Sequence, residues 1–120
     1  MDKYERFLWL LSFLVVLQML TGFYLSMYNS HYVLYFHAIT GVLIFILSII
    51  LMAISNFNNR LKRLALVNMF LILFTGIIGI GFLLIKFNFY SIYAPYIHYL
   101  LAIGILSNYA VMLGIFRTLN

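Results

Sequence analysis

Apolar residues run almost without interruption in four stretches, approximately Phe7 to Tyr28, Tyr32 to Ser55, Leu64 to Lys86 and Pro95 to Arg117. Each is close to the roughly 20 residues a helix needs to cross a hydrocarbon core about 30 Å thick. The polar punctuation between them is brief: Asn29-Ser30, the Asn56 to Arg63 segment, and the Asn88 to Ala94 segment ahead of Pro95. The pattern predicts an all-α fold, a single transmembrane domain over residues 1–120 arranged as an up-and-down four-helix bundle. The first stretch exceeds a signal-peptide core, and its lead-in carries Asp2 and Glu5, so it reads as a retained span.

Composition narrows the class further. With 67% hydrophobic and 8% charged residues, too little polar surface exists to cover a water-soluble globule. The chain has no cysteine, which removes disulfides, thiolate metal sites, iron–sulfur clusters and covalently attached haem. Any redox centre must then be held by histidine. The net charge of +5 does not point to nucleic acid, because the basic residues sit in short loops rather than on one polar face. In an up-and-down topology Lys3, Arg6, Arg60, Lys62, Arg63 and Arg117 fall at one membrane face and only Lys86 at the other. The excess of positive charge predicts a cell-membrane protein with both termini cytoplasmic and lipid as its surroundings. Tyr24, Tyr28, Tyr32, Tyr35, Tyr90, Tyr93, Tyr96 and Tyr99 gather toward the outer side, as an interfacial belt of amphipathic rings would, in preference to a tyrosine-lined quinol or radical site.

Two histidines carry the candidate chemistry. His37 lies about one turn into the second span and His98 about one turn into the fourth. Both spans run from outside to inside, so the imidazoles share a depth. In a bundle with short loops the second and fourth helices form a diagonal pair. Neighbouring helices pack about 8–10 Å apart, so the diagonal is roughly 13 Å, close to what two imidazoles with an iron between them would span after modest expansion. That suits a six-coordinate haem b with His37 and His98 as metal ligands. Gly22 on the first helix and Gly76, Gly79 and Gly81 on the third stand at the height where a flat macrocycle needs small neighbours, although such glycines also serve ordinary close packing. Gly41 and Ala102, one turn below each histidine, keep the ligand faces narrow. Ionisable groups inside a span are costly and usually functional, yet a plain structural or interfacial role for the pair stays open. His31, in the outer loop, reads as interfacial.

The run Leu17-Gln18-Met19-Leu20-Thr21-Gly22-Phe23-Tyr24-Leu25 resembles the Leu-Gln-x-x-Thr-Gly-x-x-Leu run in the first helix of cytochrome b from quinol-oxidising bc complexes. That family's four-helix half holds two stacked haems between histidine pairs on its second and fourth helices. By this resemblance His37 and His98 match the outer pair, and Gln18 and Gly22 match residues contacting the outer haem. The third-helix glycines match loosely. The positions of the inner ligands, fourteen residues further along, hold Leu51 and Met112, and Leu8 replaces an inner glycine. The resemblance therefore implies one haem b per chain, with the inner site filled by apolar side chains. Leu34 stands where a basic residue often pairs with the outer propionates. The quinol-oxidation loop belongs to the family's other half and cannot be carried over. His37-Ala38-Ile39-Thr40-Gly41 also suits other four-helix b-type cytochromes, including hydrogenase and formate dehydrogenase membrane subunits.

The leading functional expectation is an electron-transfer subunit, rather than a stand-alone enzyme, performing one-electron exchange near the outer face. One haem cannot carry an electron across about 30 Å of hydrocarbon, so the expected partners are other membrane or extracytoplasmic redox subunits, or a quinone. Two alternatives come from other classes: a cofactor-free accessory subunit of a larger membrane complex, and a small stand-alone cytochrome acting on quinol or superoxide.

Overall fold

A computed structural model describes residues 2–119. It contains four helices: α1 (Lys3–Met27), α2 (His31–Ile54), α3 (Asn59–Leu84) and α4 (Asn88–Thr118). All four are long and apolar enough to cross a membrane. Polar residues start three of them by giving otherwise orphaned backbone N–H groups an acceptor. Asp2 accepts from the Tyr4 amide, Ser30 from Val33, and Asn58 from Arg60 and Leu61. The fourth begins at Phe87 without a side-chain cap.

Helices α3 and α4 begin earlier than the apolar stretches indicated. Asn58 caps a first turn made of Asn59 to Arg63, which hydropathy reads as loop because its side chains are polar. Pro95 lies inside α4 rather than at its start. Proline lacks an N–H, so the Ser91 carbonyl loses one intrahelical bond, and the remaining helix outweighs that loss.

Each helix packs against two others: α1 against α2 and α4, and α3 against α2 and α4. The diagonals are therefore α1 with α3 and α2 with α4, and both termini lie at one end of a bundle 49 × 25 × 19 Å. That terminal end is tightly closed. Leu8, Leu11, Leu51, Leu61, Tyr109 and Met112 are at most 1% exposed and belong to one apolar cluster. Tyr4 donates to Ser55 Oγ at 2.7 Å, its ring packs on Phe57 and Phe116, and Arg117 pairs with Glu5 at 2.7 Å. Apolar side chains such as Phe13, Leu20, Val42, Phe74 and Leu100 cover the outside, as lipid contact demands.

The largest fully buried side chains are Tyr109, Leu8, Leu11, Leu51, Leu61, Met112, Asn68, Ser48 and Ser55, all between the histidines and the terminal end. Toward the opposite end the bundle interior is lined instead by partly buried residues, among them His37, Thr75, Gly79 and His98.

Candidate functional site

His37 is the seventh residue of α2 and His98 the eleventh of α4, the latter deeper than one turn because α4 starts before its apolar stretch. They meet across the diagonal, with ring centroids 6.4 Å apart and ring planes 47° from parallel. An imidazole bound to a transition metal holds its nitrogen about 2.0–2.1 Å from the ion, so two rings on opposite sides of one ion have centroids roughly 6 Å apart. The observed separation matches that spacing.

The surroundings of the two rings are similar but not equal. On α1, Gly22 faces His37: a Cβ there would stand 3.3 Å from Cε1 and 3.9 Å from Nε2. On α3, Gly79 faces His98, where a Cβ would stand 3.4 Å from Cε1. Each imidazole thus rests against a glycine of an adjacent helix. Thr21 Oγ1 lies 2.7 Å from His37 Nδ1 and 3.1 Å from the Gln18 carbonyl oxygen, which can accept its proton. His98 Nδ1 is buried without a hydrogen-bond partner. Phe82 packs edge-on to His98 with centroids 5.5 Å apart, and Tyr90 packs in turn on Phe82.

The remaining candidates divide. Gly41 makes room for the Gln18 side chain, whose Nε2 would be 3.1 Å from a Cβ there, while Gln18 Oε1 is buried without a hydrogen-bond partner. Gly22 and Gly79 therefore lie against the histidines, while Gly41 lies against Gln18. Gly76 does not: it is exposed, and a Cβ there would meet nothing within 4 Å. Gly81 serves another purpose, since the Tyr90 ring occupies the space beside it and the Tyr90 hydroxyl donates to the Ile78 carbonyl. Ala102 is partly buried, and His31 is the exposed first residue of α2. Seven of the eight outer tyrosines are exposed, Tyr90 alone being partly covered.

Sequence reasoning did not single out Thr21, Thr75 or Phe82. A signal for the first two was present: Thr-Gly recurs at 21–22, 40–41 and 75–76, once in each of the first three helices.

No group of three or more His, Cys, Asp or Glu that could hold a metal ion occurs among the described residues. A bare ion would find two protein donors, far short of a coordination shell. An ion that brings four donors of its own in a macrocycle needs only two, on opposite sides. The histidine pair and the glycines against it fit such a group. Comparison with known protein families, curated proteins and solved structures gave no match.

Proposed function

We propose that this chain is a b-type cytochrome subunit of the cell membrane, with both termini cytoplasmic, in which His37 and His98 hold one haem b near the outer face. The observation that carries this reading is the 6.4 Å separation of two imidazoles on diagonal helices. The Thr-Gly run of α1, similar to cytochrome b, adds support, because Gly22 lies against His37. When bound, haem b supplies one-electron exchange at its iron. The chain's own residues hold the two imidazoles in opposition, and bis-histidine ligation leaves no open position for a substrate. Leu8, Leu51 and Met112 fill the place of a second site, so electrons must arrive and leave at the outer half. The partner is a membrane or extracytoplasmic redox subunit, or a quinone.

The test is a set of three alanine variants. His37→Ala and His98→Ala should each abolish the low-spin bis-histidine spectrum of purified, haem-replete protein, and His31→Ala should leave it intact. An unchanged spectrum in either of the first two removes that residue as a ligand. A wild-type protein without any haem spectrum favours the cofactor-free accessory subunit.

A further inference from the structure

An imidazole can bind a metal only through a nitrogen that carries no proton, so the tautomer of each ligand histidine decides whether it is ready to bind. For His37 the geometry restricts the choice. A threonine hydroxyl has one proton to give. The Gln18 carbonyl, three residues earlier on the same helix, stands 3.1 Å from Thr21 Oγ1 and can only accept. A hydroxyl turned to Nδ1 would leave that carbonyl without it and suit the Nε2–H form; with the proton on the carbonyl, the 2.7 Å contact between Thr21 Oγ1 and His37 Nδ1 is made by a proton on Nδ1. Nε2 is left bare on the edge that faces Gly22.

We propose that Thr21 is a positioning residue that fixes His37 as the Nδ1–H tautomer and so presents Nε2 to the metal. The use of that tautomer rests on the cytochrome reading above, whereas the tautomer itself does not. A free histidine side chain in water favours the opposite form, with the proton on Nε2, so the proposal runs against the default of the residue. The hydroxyl also fixes ring rotation, because Thr21 and Gly22 are consecutive: one holds Nδ1 and the other leaves room for Cε1 and Nε2. With haem bound, a hydrogen bond on Nδ1–H makes the imidazole a stronger donor and favours the oxidised iron. His98 has no equivalent hydroxyl: its Nδ1 is buried without a hydrogen-bond partner.

Nitrogen NMR of ¹⁵N-histidine-labelled full-length protein, purified without haem, reads the tautomer directly. His31→Gln and His98→Gln together leave His37 as the only histidine signal. The expected result is His37 predominantly as Nδ1–H. Thr21→Val keeps the shape and removes the hydroxyl, and should lower the ratio of Nδ1–H to Nε2–H by about tenfold, the equivalent of one ordinary hydrogen bond. Thr21→Ser should restore it. In the haem-loaded protein Thr21→Val should weaken haem binding by roughly 10- to 100-fold. It should also raise the midpoint potential by the equivalent of about tenfold, 59 mV for one electron. A His37 that carries its proton on Nε2 in the chain with Thr21 intact overturns the proposal, as does a ratio that Thr21→Val leaves unmoved. Failure of the Thr21-intact chain to take up haem overturns the cytochrome reading alone, because the NMR result still decides what Thr21 does.

Discussion

A methyl group added at Gly22 would press on His37 Cε1 at 3.3 Å, while one added at Gly76 would meet nothing. Both residues stand at the right height for the site, and height is what the sequence conveys. Facing is harder to read, because three residues along a helix turn about 60° short of a full circle. Gly79 consequently meets His98 while Gly76 looks outward. Gly76→Ala is expected to leave haem content unchanged and to raise stability by up to about 1 kcal/mol, the helix-propensity difference between the two residues. Gly22→Val is expected to displace His37 and lower haem content sharply. Haem per protein and thermal unfolding of the two variants check both; equal behaviour of the pair contradicts the assignment of Gly22 to the site. Thr21 escaped the sequence reading for a related reason. A hydroxyl in a span usually satisfies itself on its own helix, as Ser12 and Thr118 do here, and only the fold reveals a second partner.

At the level of elements, the apolar part of each helix was legible from hydropathy and the polar ends were not. Asn59 to Arg63 and Asn88 to Ala94 are helical although their composition suggests loops. Which helices lie diagonal was legible, because short connections leave sequential helices side by side. The fastening of α3 to α4 was not. Asn68 is fully buried, donates to the Ile105 carbonyl at 3.0 Å and accepts from Asn108 at 2.8 Å. In an apolar surrounding such a bridge replaces groups that would otherwise go unpaired. Asn68→Leu keeps the branched shape and removes both bonds, and should cost about 1 to 2 kcal/mol of stability in detergent or lipid. A stability equal to that of the unsubstituted protein would show that the bridge contributes nothing.

Across the whole molecule the two halves are built differently: one is filled by large side chains from every helix, and the other is lined by histidines, glycines and threonine. The filled half was legible, since Leu8, Leu51 and Met112 cannot form a second ligand set and are all at most 1% exposed. Charge predicts the orientation, with six basic residues toward the terminal end and Lys86 toward the other. Topology reporters placed after Asn120 and within Asn56 to Arg63 should read cytoplasmic, and one near Ser30 external; an external signal from the Asn56 to Arg63 segment reverses the orientation. The separation of the rings, 6.4 Å, is what turns two histidines into one site. Its most direct test is the haem content of purified, haem-replete protein, measured by pyridine haemochrome against quantitative amino-acid analysis. One haem b per chain, with a low-spin spectrum, is the expected result. A ratio of zero would contradict the site itself, and a reproducible ratio of two would contradict the assignment of His37 and His98 as its only ligands.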